Sequence, residues 1–164
     1  MDEIDAKILE MLSENANETA TVIGAAVGLS IPAVNKRIQR MQKDGVLRRF
    51  TVLTDGKKAG KPISAYILVI LQDDSDALLE YVNQDPDVLE CAAVTGEYDY
   101  IIKVCAADVE ALEDKLLCLK RKKGVVKSLT MLSLMECKLQ PTILPARKRD
   151  GAEISSDRNG SEGM

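Results

Sequence analysis

TATVIGAAVGLSIPAVNKRIQRMQKDG, residues 19–45, is the stretch to which every other segment of this chain can be related. Its first half leaves apolar residues at helical spacing until Gly28 interrupts the run. Ser30 then stands where a side-chain oxygen can cap a second helix, and Pro32 falls in that helix's first turn, where a missing N–H costs little. Two short helices joined by a tight glycine-containing turn predict a helix-turn-helix.

The second helix has two unlike faces. Val34, Ile38 and Met41 mark a face to be buried, and Gly45 is expected to end the helix as a left-handed cap. The opposite side carries amide and cationic side chains: Asn35, Lys36, Gln39, Arg40 and Lys43. An ordinary antiparallel helical pair is the alternative, which the cap, the glycine turn and the basic face together disfavour.

Three motifs in this part of the chain carry a family resemblance. DEIDAKIL occupies residues 2–9, VGLS occupies 27–30, and KRIQRMQKDGVL occupies 36–47. Together they resemble the N-terminal domain of the Lrp/AsnC family, the feast/famine regulators. The resemblance implies a transcription regulator that binds double-stranded DNA, in which the helix from Ser30 onward reads the major groove.

The expected DNA contacts follow from side-chain chemistry on that helix. Asparagine suits adenine, and arginine or lysine suits guanine, so the residues facing base edges are expected to be Ala33, Asn35, Lys36 and Arg40. Ser30 and Arg37 are expected to hold phosphate, although Arg37 has a structural alternative, an ion pair with an acid of the first helix. A two-fold dimer predicts a palindromic DNA site.

The net charge of −4 conceals an uneven distribution. Residues 30–61 carry nine Lys/Arg against two Asp/Glu, whereas residues 73–118 carry two against thirteen. A basic block favours phosphate contact through counterion release, and the acidic middle would repel DNA. The charge pattern therefore assigns nucleic-acid binding to the N-terminal half.

Composition excludes several classes of protein. Hydrophobic content of 46% and charged content of 29% are typical of a soluble globular protein, and no apolar run approaches the roughly 20 residues that span a membrane. The start MDEIDAK has no signal-peptide pattern, which predicts a cytoplasmic location. The chain has no histidine and no C-x-x-C pair, so we expect no metal, no cofactor and no catalytic residues, and the four cysteines are expected to be free buried thiols.

The second half predicts an antiparallel sheet with two helices. Apolar runs and helical stripes alternate in the order β-α-β-β-α-β, at residues 63–71, 73–85, 88–95, 100–106, 108–123 and 125–139. That order is the ferredoxin-like arrangement, with both helices on one face of the sheet. An additional strand is expected at Val46–Leu53, as the wing of a winged helix-turn-helix. The fold class is therefore α+β.

Composition also predicts the boundaries. The loop TDGKKAGKP separates a DNA-binding domain from an effector and oligomerisation domain, and the end of the chain reads as a disordered tail. The expected segments are 1–53, the linker 54–62, 63–140 and the tail 141–164. The basic cluster Arg147–Arg149 in that tail is open to DNA contact, but a solvated tail is the favoured reading.

One face of the sheet needs a cover. Apolar residues such as Ile67, Val69, Ile102 and Leu132 make a solvent-facing sheet unfavourable, whichever of them lie on the uncovered face. A second copy of the sheet would cover it, so we expect a homodimer, or a higher oligomer such as an octamer. The β-α-β-β-α-β module is similar to the effector domain of Lrp/AsnC proteins, and the resemblance spans residues 2–140.

The segment Val94–Tyr100 predicts a small-molecule site. Gly96 permits a tight turn with positive φ whose N–H groups face a carboxylate, Asp99 offers a partner for an ammonium group, and Thr95 adds a hydroxyl. Those groups suit an amino-acid zwitterion. Glu97 favours a basic ligand and Tyr98 an apolar one, and the choice stays open. The resemblance implies a ligand between neighbouring subunits, with Thr130 of the last strand contributing, while an ordinary hairpin turn is the alternative.

Two other functions fit the same plan. Enzymes that resemble the family decarboxylate a haem precursor, but they depend on histidine, which this chain lacks. An architectural DNA-binding protein without effector is the second alternative, and comparing affinity for promoter and random DNA separates it.

Overall fold

The protein is described by a computed structural model that covers residues 1–72, 75–122 and 124–145. The chain forms two compact units, Met1–Thr51 and Val52–Leu139, described separately below. Among the described residues, no helix is long and apolar enough to cross a membrane.

The first unit contains three helices: α1 (Glu3–Glu14), α2 (Ala20–Val27) and α3 (Ile31–Lys43). Helix α1 begins with a reciprocal capping box. The Asp5 N–H donates to Asp2 Oδ1 at 2.8 Å, and the Asp2 N–H donates to Asp5 Oδ2 at 3.1 Å. The three helices enclose an apolar core of Ile8, Leu9, Leu12, Ile23, Val34, Met41 and Leu47. The helix-turn-helix prediction is confirmed.

The turn between α2 and α3 depends on Gly24. A Cβ atom at Gly24 would lie 2.5 Å from the carbonyl oxygen of Leu29, a contact too short for any side chain. The Leu29 N–H also donates to Gly24 O at 2.9 Å, which holds the turn against the helix. Close approach of two backbone segments therefore requires glycine in the middle of α2.

The ends of α3 match the predicted cap at one terminus only. At the C-terminus the Gly45 N–H donates to Gln42 O, and the Leu47 N–H donates to Met41 O. Ser30 occupies the N-cap position, but its side chain makes no capping hydrogen bond, so the predicted bond is wrong. Pro32 removes one of the two backbone N–H groups that an N-cap oxygen usually accepts from.

The predicted wing is also wrong. Residues 46–53 form no strand, because no other segment among the described residues pairs with them. The Leu47 N–H bonds back to α3 instead, and Val52 and Leu53 are 81% and 61% exposed. β-propensity alone does not make a strand without a neighbour to complete the ladder.

The second unit is a four-stranded antiparallel sheet with two helices. Its elements are β1 (Ile63–Leu71), α4 (Asp76–Gln84), β2 (Val88–Ala93), β3 (Tyr100–Ala106), α5 (Val109–Lys122) and β4 (Val125–Leu132). The strand order is β2-β3-β1-β4, and every neighbouring pair is antiparallel. This confirms the ferredoxin-like β-α-β-β-α-β prediction. Strand β4 ends seven residues earlier than predicted, because its partner β1 starts at Ile63, directly after Pro62.

The sheet register assigns the apolar residues to two faces. Ile67 and Val69 of β1 and Ile102 of β3 are fully buried beneath the helices with Leu78, Leu112 and Leu119. Leu132 pairs with Ala65 and so shares that side of the sheet. None of the four residues quoted for the uncovered face therefore lies on it. The opposite side carries a different set: Tyr66, Leu68, Ile101, Leu129 and Met131.

A half-buried ion-pair network fastens α5 to the start of β2. The Lys115 ammonium lies 2.6 Å from Asp85 Oδ2 and 3.3 Å from Asp87 Oδ2, and all three side chains are at most 21% exposed. Tyr81 donates its hydroxyl hydrogen to Asp85 at 2.7 Å, and Lys61 pairs with Asp87. The network stabilises the second unit and connects the loop before β1 to the turn before β2.

Candidate functional site

The exposed face of α3 presents the amide and cationic groups expected from the sequence. Asn35 and Lys36 are exposed, and their side chains form no hydrogen bond or ion pair with any described residue. Ser30 is also exposed, and Ala33 is half-buried on the same helix. An amide, an ammonium and a small side chain are therefore left on the first two turns of α3, where a recognition helix contacts base edges.

The two arginines of α3 have carboxylate partners on α1. Arg37 Nη1 lies 2.6 Å from Asp2 Oδ2 and 2.8 Å from Asp5 Oδ1. Arg40 Nη2 lies 2.6 Å from Asp5 Oδ2. The side chain of Arg37 is only 23% exposed, whereas that of Arg40 is 52% exposed. Arg37 thus makes the ion pair with the first helix that was its structural alternative, and Arg40 keeps part of its guanidinium group open to a ligand.

These ion pairs shift the ionisation of both acids. The hydrogen bond from Arg37, followed by the Asp5 N–H, lowers the pKa of Asp2 to about 2. Burial opposes ionisation of Asp5, but hydrogen bonds from Arg37 and the Asp2 N–H outweigh it, so the pKa of Asp5 is also lowered. The Asp2 and Asp5 carboxylates raise the pKa of Arg37. Asp2, Asp5 and Arg37 are therefore all charged at neutral pH.

The second candidate site is the turn between β2 and β3, residues 94–99, called here the β2–β3 turn. Gly96 has φ +117°, a conformation that side chains on L-residues rarely adopt, which agrees with the predicted positive φ. The N–H groups of residues 95–98 have no hydrogen-bond partner among the described residues. The turn therefore presents several free donors on an exposed surface.

Asp99 closes the base of this turn. Its N–H donates to Val69 O at 2.9 Å, its carbonyl accepts from the Val94 N–H at 2.9 Å, and its Oδ2 accepts from the Leu71 N–H at 2.9 Å. One carboxylate oxygen is thus engaged with the end of β1. The other remains exposed and without a partner among the described residues.

Lys127 is a residue of this site that the sequence did not identify. Its ammonium pairs with Glu97 and lies 5.5 Å from the ring centroid of Tyr98, and Glu97 raises the pKa of Lys127. The position of Lys127 beside the turn follows only from the β1–β4 register, in which Lys127 pairs with Ile70 near the end of β1. Thr130 pairs with Ile67, three residues farther from that end, and lies on the helix-covered side, away from the groups of the β2–β3 turn. Thr95 is exposed at the turn.

No metal site is evident in the part of the chain that the structure describes: no three His, Cys, Asp or Glu side chains converge there. The four cysteines are free, and three are half-buried while Cys137 is exposed, so the prediction of buried thiols is wrong for Cys137. Burial raises the pKa of Cys91, which favours its neutral thiol form.

Comparison with known proteins assigns a family description to each unit. Residues 1–42 match the AsnC-type helix-turn-helix domain, and residues 64–143 match the Lrp/AsnC ligand-binding domain. An HTH-type transcriptional regulator of Mycobacterium tuberculosis, Rv2324, is 35% identical over 130 residues, which are 78% of this chain and 88% of the relative. The glutamate uptake regulatory protein of Zymomonas mobilis is 30% identical, covering 88% of this chain and 90% of the relative.

The chain is also similar to a solved structure of a regulator with a bound ligand. The transcriptional regulator NMB0573 of Neisseria meningitidis, in complex with L-Met, superposes with a TM-score of 0.80 at 28% identity. The match covers 87% of this chain and 96% of the neighbour. Both units of the chain thus have counterparts in regulators of one family.

Proposed function

Because the chain belongs to the Lrp/AsnC family of transcriptional regulators, we propose that it reads a specific DNA sequence and answers to a free amino acid. It is a transcriptional regulator with a helix-turn-helix and a ligand-binding domain. The observation that carries the proposal is the exposed face of α3, where the side chains of Asn35 and Lys36 have no partner among the described residues. Arg40 adds the open part of its guanidinium group, and Ser30 and Ala33 lie at the helix start.

DNA binding is tested by selection from a random duplex pool with the full chain. We expect enrichment of a palindromic sequence, and binding that weakens steeply as salt is raised. Equal affinity for selected and shuffled duplexes would instead favour an architectural DNA-binding protein, the alternative raised by the sequence.

The β2–β3 turn is proposed to bind the effector. The free N–H groups of residues 95–98 and the Lys127 ammonium suit an α-carboxylate, while Glu97 and the free oxygen of Asp99 suit an α-ammonium. Thr95 and Tyr98 border these groups, and the position of Thr130 argues for a lesser role. The L-Met complex of the Neisseria meningitidis regulator supports an amino acid as the ligand class.

A homodimer is proposed to form through the uncovered face of the sheet. Leu129 and Met131 are 44% and 43% exposed there, beside half-buried Leu68 and Ile101. An apolar patch of this kind is stabilised by a second copy. An amino acid acts on such an assembly only by binding one arrangement more tightly than another.

The effector proposal is tested by sedimentation velocity and by DNA affinity, each measured with the common amino acids added singly. We expect at least one amino acid to change the sedimentation coefficient or the affinity for the selected duplex. No response to any of them would contradict an amino-acid effector and would leave the DNA-binding proposal intact.

The homodimer proposal has its own test. A Leu129→Glu, Met131→Glu double variant is expected to sediment as a monomer.

A further inference from the structure

Asp5 is a buried carboxylate in an otherwise apolar core. The residue is 1% exposed, and it sits among the first turns of α1 beside the fully buried Ile8. Burying a charge is strongly unfavourable unless charged partners compensate for it. A single buried acid in so small a unit therefore needs a reason beyond packing.

Both oxygens of Asp5 are committed to partners. Oδ1 accepts from Arg37 at 2.8 Å, and Oδ2 accepts from Arg40 at 2.6 Å and from the Asp2 N–H at 3.1 Å. Asp2 adds a second contact to Arg37 at 2.6 Å. Two of the three hydrogen bonds that Asp5 accepts thus come from α3. Their donors, Arg37 and Arg40, are three residues apart and share one side of that helix.

We propose that Asp5 is a positioning residue for DNA recognition, an inference that rests on the proposed binding of DNA by α3. Its carboxylate fixes the rotation of α3 about its own axis through Arg37 and directs the guanidinium group of Arg40. Arg37, which is mostly covered, belongs to this support and not to the DNA-contacting face. Arg40, half exposed, is held by one nitrogen and presents its remaining N–H groups outward.

Charge and geometry give opposite expectations for the loss of this carboxylate. Removing a negative charge beside a DNA-binding face should strengthen binding to any duplex, because the repulsion from phosphate falls. Losing the support of α3 should weaken binding to the correct sequence, because bidentate base contacts need a fixed side-chain direction. Whether affinity for the selected duplex rises or falls therefore distinguishes the loss of charge repulsion from the loss of support for α3.

The test compares Asp5→Asn with the matched control Glu3→Gln, in the full chain. Glu3 is an exposed acid on the same first turn of α1, and it forms no ion pair with a described residue. Each variant is titrated with a duplex selected by the unaltered protein and with a shuffled duplex of the same composition. Circular dichroism reports whether α1–α3 remain folded.

For Asp5→Asn we expect affinity for the selected duplex to fall about tenfold or more, on the scale of one lost bidentate contact. Affinity for the shuffled duplex should stay the same or rise, so the ratio of the two falls. Glu3→Gln should leave the ratio unchanged. A folded Asp5→Asn variant whose ratio stays within twofold of the unaltered protein would overturn the inference.

Asp5→Glu covers the case in which Asp5→Asn does not fold. It keeps the charge and adds one methylene, so ion pairs persist while the arginines are displaced. A lowered ratio with a folded protein supports the inference, and an unchanged ratio overturns it. If the unaltered protein selects no duplex at all, the proposed DNA-binding function fails instead, and the two failures are distinguishable.

Discussion

Helix α3 and the β2–β3 turn differ in what holds their polar groups in place. Beneath α3, Asp2 and Asp5 engage both arginines from a helix packed behind them. At the turn, the hydrogen bonds of Asp99 fix the base and Lys127 holds the exposed side chain of Glu97, but four successive N–H groups have no partner among the described residues. We therefore propose that the DNA-reading surface on α3 is formed in advance, and that the ligand site at the β2–β3 turn is completed by what binds it.

The largest effect is expected from breaking the support of α3 at its turn. Gly24→Ala places a methyl group 2.5 Å from Leu29 O, so the turn must move. We expect a loss of about 3 kcal/mol in the free energy of unfolding of the first unit. Urea unfolding followed by circular dichroism measures it. Ala25→Ser, on the exposed side of α2, is the control, and equal stability of both variants would contradict the close approach.

A second comparison lies within the sheet unit, between two lysine ion pairs. Lys115→Met leaves Asp85 and Asp87 partly buried without their shared cation, so we expect a loss of about 2 kcal/mol in unfolding free energy. Lys127→Met removes an exposed pair with Glu97 and should leave the unfolding midpoint unchanged. Lys127→Met should instead abolish the response to an effector amino acid. A loss of stability as large as that of Lys115→Met would make Lys127 a structural residue.

The acid pair beneath α3 gives a smaller, pH-dependent effect. Asp2 titrates at about 2 and Asp5 has a lowered pKa in the folded protein, against 3.8 for an unperturbed Asp. A depressed folded pKa stabilises the fold fully above about pH 4, and this stabilisation is lost as pH falls through the folded value. The stability of each variant is followed by NMR of the first-unit amides from pH 5 to pH 2. We expect the stability of Asp2→Asn to fall less over this range than that of Glu3→Gln. Parallel curves would refute the ion pair.

Much of the fold is predictable from sequence because local signals agree with the global arrangement. The strand Tyr100–Ala106 has the predicted bounds, since an apolar run lies between a turn and a loop. Residues 46–53 carry the same kind of run without a pairing partner, and β4 stops at Leu132 where its neighbour stops. Strand pairing is a property of two segments, so a single run of β-forming residues cannot predict it.

The candidate sites divide in the same way. Asn35 and Lys36 follow from helical spacing alone, because an amphipathic helix specifies its own exposed face. The partners of Arg37 and Arg40 lie more than thirty residues away on α1, and the position of Lys127 beside the β2–β3 turn depends on the β1–β4 register. Long-range geometry decides both, so sequence reasoning identified Arg37's partner only as an alternative and missed Lys127.

The most direct test of the account measures DNA affinity for Lys36→Ala beside Lys7→Ala, a variant that loses the same charge from α1. With a duplex selected by the unaltered protein, Lys36→Ala is expected to bind about tenfold more weakly, and its salt slope should fall by about one. Lys7→Ala, whose exposed ammonium pairs with Glu10, should bind as the unaltered protein does. If both variants bind the selected duplex equally well, α3 is not the DNA-reading element.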